Sequence, residues 1–172
     1  MNLSDFKSGK ITNEISQKTY SWDSPSNIAL VKYWGKNTDQ TPKNPSISFT
    51  LSNCKTTTKV EFEKSSLKSD CVDFEIIFEG QKNKKFRPKI QKYFSKILEY
   101  CPYLTNYQLS INTANSFPHS SGIASSASGM SALSLCILSF EKDLTNLNNE
   151  EYFYKKASFL SRIGSGSACR SI

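Results

Sequence analysis

Histidine occurs once in this chain, at position 119. A histidine-built metal site is therefore excluded, and any Ser–His–Asp arrangement would have to use that one residue. The cysteines are Cys54, Cys71, Cys101, Cys136 and Cys169. Their odd number and the lack of a CxxC pair argue against zinc and against a disulfide framework. No apolar run reaches the roughly 18 residues that a membrane helix needs. The opening MNLSDFKSGKITNEISQKTYSW has no apolar stretch of the signal-peptide kind. The expectation is a cytoplasmic protein with no membrane partner. Neither GxxxxGK[ST] nor GxGxxG is present, which removes the P-loop and the Rossmann fingerprint.

Acidic residues are also few, 15 against 22 basic ones, for a net charge of +7. Nearly all of the basic residues are lysine, with a local cluster from Lys82 to Lys92. Such a surface can attract nucleic acid or small phosphorylated substrates. A nucleic-acid reader needs a recognisable fold or an aromatic–basic platform, and neither is seen, so no nucleic-acid partner is expected. A solvated lysine-rich surface accounts for most of these side chains.

What is present fits one domain or most of one. A domain of this length hides roughly 70% of its unfolded surface. Residues 1–20 are polar and lack periodicity, which predicts a loosely docked extension, with the domain running over 21–172. Residues 27–31 read as a short buried strand. Alternation predicts strands over 46–51, 56–62 and 72–78, and another over 107–113. Ile90, Tyr93, Phe94, Ile97 and Leu98 fall at helical spacing and predict a helix over 88–100. Further helices are predicted over 125–140 and 149–163. Strands come early and helices late, an α+β pattern rather than a doubly wound sheet.

Three stretches carry candidate chemistry. In Phe117-Pro-His-Ser-Ser-Gly-Ile-Ala-Ser-Ser-Ala-Ser-Gly-Met130, ten of fourteen positions are Gly, Ala, Ser or Pro. It precedes and opens a helix, where free amides and the helix dipole attract anions. That describes a phosphate cradle, and equally a small-residue helix packed tightly on a sheet. In Gly164-Ser-Gly-Ser-Ala-Cys-Arg170, paired serines and an arginine converge after the last helix, and arginine can bind phosphate bidentately. A helix stop with a flexible end is the alternative. In Asn27-Ile-Ala-Leu-Val-Lys-Tyr-Trp-Gly-Lys36, Lys32 and Lys36 flank two aromatics and a glycine. They could neutralise a diphosphate or simply sit at a solvated strand end.

Taken together, PSNIALVKYWGK, FPHSSGIASSASG and GSGSACRS resemble, in order and spacing, segments of the diphosphomevalonate decarboxylases of the GHMP kinase superfamily. The resemblance covers about residue 21 to the end. It implies a GHMP-kinase-type amino-terminal domain, ribosomal protein S5 domain 2-like, with a mixed sheet and helices packed on one side. It also implies that the family's carboxy-terminal part, with the aspartate that deprotonates the substrate, is missing.

The implied reaction is ATP- and magnesium-dependent decarboxylation of 5-diphosphomevalonate to isopentenyl diphosphate. The implied substrate contacts are Tyr33, Trp34, Gly35, Lys36, Arg87, Ser165, Gly166, Ser167, Ala168, Cys169 and Arg170. Lys32 would stand near the reacting centre. The implied ATP contacts are Ser120, Ser121, Gly122, Ile123, Ala124, Ser125, Ser126, Ala127 and Ser128, with Ser125 near the transferred group and the magnesium ion. The resemblance further implies that full-length members often form homodimers, which need not extend to a fragment. The alternatives are a non-catalytic remnant that keeps phosphate or nucleotide binding, or a paralogous mevalonate or phosphomevalonate kinase or decarboxylase.

Overall fold

A computed structural model describes residues 3–38, 41–67, 69–82, 85–118 and 122–172. Five strands form one sheet: β1 (Gln17–Val31), β2 (Ile47–Lys64), β3 (Asp73–Phe78), β4 (Gln81–Lys82) and β5 (Tyr107–Asn115). Their order is β1-β2-β5-β3-β4. β3 and β5 run parallel and the other neighbours antiparallel. Three helices, α1 (Arg87–Ile97), α2 (Ser125–Thr145) and α3 (Glu150–Gly164), pack with the sheet.

Alternation decides which face of the sheet is covered. Thr58, Val60 and Phe62 of β2, Phe74 and Ile76 of β3, and Leu109 and Ile111 of β5 are buried, while Lys59, Glu61 partly, and Glu63 face outward. This is the pattern of a sheet packed on one side. α2 lies against β1 and β2 and is buried along most of its length. Phe140 of α2 stacks on Phe62 of β2 at 4.2 Å between ring centroids. α1 buries Ile90, Tyr93, Phe94 and Ile97, the stripe expected from their spacing. Asn149 caps α3 by accepting a hydrogen bond from the Tyr152 amide.

Four expectations change. The strands expected over 46–51 and 56–62 are one strand, β2, which bends at an irregularity where Pro25 pairs with Lys55 and Ser26 with Leu51. Pro25 is tolerated there because β1 is an edge strand and the ladder is already interrupted. The stretch over 27–31 is strand, but its end runs past the helical layer: Leu30 is 66% exposed, and Val31, Ile47 and Phe49 are also exposed. The amino-terminal segment is docked. Phe6 stacks on Phe159 at 4.5 Å, and the amides of Thr12 and Asn13 both donate to the Leu144 carbonyl in the last turn of α2. Helix ends leave such carbonyls without partners, and this segment supplies them. Residues 17–20 are already part of β1.

Finally, one lysine is not solvated. Lys156 of α3 is fully buried and bonds both carboxylate oxygens of Glu141 on α2, at 2.6 and 2.8 Å, and the Tyr100 carbonyl at 3.2 Å.

Burial also sorts the thiols. It pushes the Cys101 and Cys136 pKa values up to about 12, whereas Cys71 is exposed. The thiolate is the reactive form. A disulfide reagent at pH 8 is therefore expected to modify Cys71 at once and Cys101 and Cys136 only on unfolding. Mass-spectrometric mapping of the labelled cysteines with time would check this.

Candidate functional site

The loop after β1 is held by the Asn44 side chain and by its own backbone. Asn44 accepts from the Trp34 amide at 2.7 Å and donates to the Pro45 carbonyl at 2.9 Å. The Lys43 amide donates to the Gly35 carbonyl and the Asn37 amide to the Thr41 carbonyl. The Lys43 stem packs close over Gly35, 3.3 Å from where a Cβ would stand. This small hairpin presents Tyr33 and Lys36.

The turn after α3 meets it. The Ser165 amide stays bonded to the Ser161 carbonyl, then Ala168 donates to Ser165 and Arg170 to Ser167, making a 3₁₀ turn over Ala168–Ser171. Gly166 is buried against the hairpin: a Cβ there would lie 2.6 Å from Lys36 Nζ and 2.9 Å from the Tyr33 hydroxyl. Lys36 Nζ is 5.8 Å, and Arg170 Cζ 5.9 Å, from the centroid of the Tyr33 ring. Two cations thus share one aromatic ring, which favours both. Tyr33, Lys36, Gly166 and Arg170 come from segments more than a hundred residues apart and form one basic cluster.

The first turn of α2 gives a second feature. Ala124 adopts left-handed φ 46°, ψ 36°, just before the helix, and no side chain caps the helix start. Gly122 has φ 80°. The Ser26 hydroxyl on β1 donates to the Ile123 carbonyl and ties this loop to the sheet. An uncapped start to a 21-residue helix is a favourable place for an anion. Ser125 and Ser126 line a cavity of about 110 Å³ between the sheet, α1 and α2.

Not every expected residue joins these two features. Trp34 is 90% exposed. Ser128 is fully buried, and its hydroxyl is engaged by Thr56 at 2.6 Å and the Ser125 carbonyl at 3.2 Å, so it packs the helix on the sheet rather than facing a ligand. Ala127 and Ala168 are buried in the core. Arg87 donates to the Phe74 carbonyl at 2.7 Å, stacks over the Phe74 ring, and lines a different hollow with Asp73, Glu75 and Lys82. Lys32 is exposed at the end of β1, and Cys169 bonds back to the Gly166 carbonyl. His119, Ser120 and Ser121 lie outside the described residues.

Two polar residues were missed. Asn27 is buried, gives its Nδ2 to Thr50, and leaves Oδ1 without a donor among the described residues. Lys89 lines the cavity beside Ser125. Burial, and then the charge of Lys36, hold its pKa below the ordinary lysine value. The signal for Lys89 was its place in the lysine cluster at the start of α1.

Residues 24–172 match the sequence profile of the diphosphomevalonate decarboxylase-like N-terminal domain. The chain belongs to that family. It is 34% identical over 167 residues to the diphosphomevalonate decarboxylase of Saccharomyces cerevisiae, covering 90% of this chain and 39% of that protein. The solved mevalonate diphosphate decarboxylase of Staphylococcus aureus is similar at 33% identity with a TM-score of 0.70, covering 91% of this chain and 44% of that one. The Enterococcus faecalis protein gives 31% identity and a TM-score of 0.69 over 90% of this chain and 45% of that one. MDDEF, solved in complex with MVAPP, AMPPCP and magnesium, is similar at 31% identity with a TM-score of 0.69, over 91% of this chain and 44% of that one.

The chain spans 38–40% of the length of the first curated relatives it matches. The mixed sheet with helices on one face is the family's amino-terminal fold, as the three motifs implied. Among the described residues no helix is long and apolar enough to cross a membrane. No group of three His, Cys, Asp or Glu suited to a metal occurs among them. The Ser125 hydroxyl is half-exposed at the mouth of the cavity.

Proposed function

We propose that this domain holds the phosphates of an enzyme that decarboxylates 5-diphosphomevalonate to isopentenyl diphosphate. The observation that carries the reading is the convergence of Tyr33, Lys36, Gly166 and Arg170 in one basic cluster. A diphosphate there would take charge-assisted hydrogen bonds from Lys36 and Arg170, a hydroxyl from Tyr33, and donors from the Ser165 to Ser167 turn. Gly166 has no side chain, so Lys36 and Tyr33 can close directly against the turn.

ATP with magnesium would supply the phosphoryl group that turns the tertiary 3-oxygen into a leaving group. The chain's own part is to position and neutralise, which is most of what phosphoryl transfer asks of a protein. Gly122 ahead of α2, with Ser125 and Ser126 in its first turn, would hold the nucleotide's phosphates, and Ser125 the metal. Lys32, close to Tyr33, would balance charge as the substrate carboxylate departs. Trp34, Gly35, Cys169 and Arg87 complete the implied substrate contacts, Arg87 only after leaving Phe74.

A base for the 3-hydroxyl proton is needed as well. The groups gathered here are cations and hydroxyls, and among the described residues no carboxylate lines the cavity beside α2. That favours, as a second reading, phosphate binding without turnover in this 172-residue chain. The purified protein is expected to bind inorganic diphosphate in calorimetry. Given diphosphomevalonate, ATP and magnesium, it is expected to release no carbon dioxide above background. Steady ATP-dependent release would overturn binding without turnover. No detectable diphosphate binding would overturn the site.

A further inference from the structure

Asn44 lies outside the three stretches that identify the family, yet its side chain holds one of them. The ladder between β1 and β2 ends where Val31 pairs with Ile47. Beyond it, among the described residues from 32 to 46, there is a single further bridge, Lys36 with Pro42. Tyr33 and Lys36 therefore leave the sheet before they reach the turn after α3. Something other than the ladder has to aim them.

The Asn44 carboxamide stands where a neighbouring strand would. Its Oδ1 accepts from the Trp34 amide at 2.7 Å. Its Nδ2 donates to the Pro45 carbonyl at 2.9 Å and, more weakly, to the Lys32 carbonyl at 3.4 Å. In an extended chain the C=O of one residue and the N–H two residues on point to the same side, as they do toward a partner strand. One carboxamide meets both, so its oxygen and both its protons are committed to main chain. The two contacts bracket Tyr33.

That clamp acts on the anion cluster through the Tyr33 ring. Side chains alternate along an extended chain, and here the neighbours part. Trp34 is 90% exposed, whereas the Tyr33 hydroxyl lies 2.9 Å from where a Gly166 Cβ would stand. Lys36 Nζ is 5.8 Å and Arg170 Cζ 5.9 Å from the Tyr33 ring centroid. The next peptides are pinned as well: the Lys43 amide donates to the Gly35 carbonyl at 3.0 Å and the Asn37 amide to the Thr41 carbonyl at 2.9 Å.

Resting on the site reading above, we propose that Asn44 is the positioning residue of the diphosphate cluster. It touches no ligand. It holds the peptides on either side of Tyr33, and so places the ring over which Lys36 and Arg170 gather. A cluster aimed in advance does not have to order a loop when the ligand arrives, and that difference appears as affinity.

The test is calorimetric titration with inorganic diphosphate of four proteins: unaltered, Asn44→Ala, Tyr33→Ala and the two changes combined. All are titrated below the lowest thermal midpoint of the set, so that a folding defect is not read as lost affinity. Asn44→Ala is expected to weaken diphosphate about tenfold, the scale of the hydrogen bonds that no longer order the loop. In the Tyr33→Ala background the same change should cost less than about threefold, because the ring through which Asn44 acts is already gone. A residue with only a structural role would cost the same factor in both backgrounds. Equal losses therefore overturn the proposal. So does a loss below about twofold for Asn44→Ala alone while Arg170→Gln still weakens diphosphate. In both cases the site reading stands without Asn44. If the unaltered protein binds no diphosphate, the site reading falls and this inference falls with it.

Discussion

Replacing Lys156 with alanine is expected to lower the unfolding free energy by about 3–5 kcal/mol. Its ammonium and the Glu141 carboxylate are 0% and 1% exposed, so neither charge is shared with water. Removing the lysine leaves Glu141 buried, with the Cys101 thiol at 3.6 Å as a weak remaining donor. A buried carboxylate without a cation is among the most costly groups a core can hold. The ion pair itself is a different matter. Bringing two charges out of water consumes most of what their attraction returns, so Lys156→Met combined with Glu141→Leu should regain most of the loss. Urea unfolding of the three proteins measures both effects. A single-variant loss below about 1 kcal/mol would mean that water reaches the pair.

Two neighbouring glycines should respond oppositely to alanine. At Gly164 the new Cβ meets Met130 Sδ at 2.7 Å and the Tyr93 ring at 3.0 Å, both in the core. Overpacking of that kind costs about 1–3 kcal/mol of stability. At Gly166 the Cβ meets Lys36 Nζ and Cε and the Tyr33 hydroxyl. Lys36 is exposed and flexible at its tip, so the fold can absorb the change by moving it. Diphosphate binding then loses a cation and a hydroxyl from their places, a loss of about tenfold to a hundredfold in Kd. Thermal melts and diphosphate titrations on the two variants separate the outcomes. Gly166→Ala that melts early and binds normally would refute the assignment of Gly166 to the ligand site.

Periodicity made much of the fold legible. The α1 stripe, the inward faces of β2, β3 and β5, and the α+β order all follow from spacing alone. The three motifs gave the family because each is local in sequence. What stayed hidden depended on distant partners. The loosely docked look of residues 1–20 reflected their polarity, but their backbone amides, not their side chains, dock them to α2. Lys156 sits at the same spacing as Phe153, Ala157 and Leu160, on the buried face of α3. Its charge argued for solvent, and only Glu141 on another helix reverses that argument. Ser128 read as a ligand hydroxyl because of its neighbours, whereas one helical turn carries it round to Thr56. Arg87 and Lys89 are two residues apart, and sequence could not say which of them turns toward the cavity.

The hydroxyl of Ser131, midway along α2, has a consequence for how the two subsites are spaced. It donates to the Ser171 carbonyl at 2.7 Å and accepts from Ser24 on β1 at 3.1 Å. A hydroxyl has one proton to give, so this one is committed to the turn that carries Arg170. Ser128 and Ser134, one turn away on either side, are similarly engaged with Thr56 and with Tyr93. Sliding or rotating α2 by a single residue would strand all three at once. The helix is therefore indexed, like a ratchet with one tooth engaged, and the gap between the amides at its start and the Arg170 turn is a fixed gauge. On the function proposed above, a ligand would have to match that gauge, and the length of the bridge between two phosphate groups would be something the core itself measures.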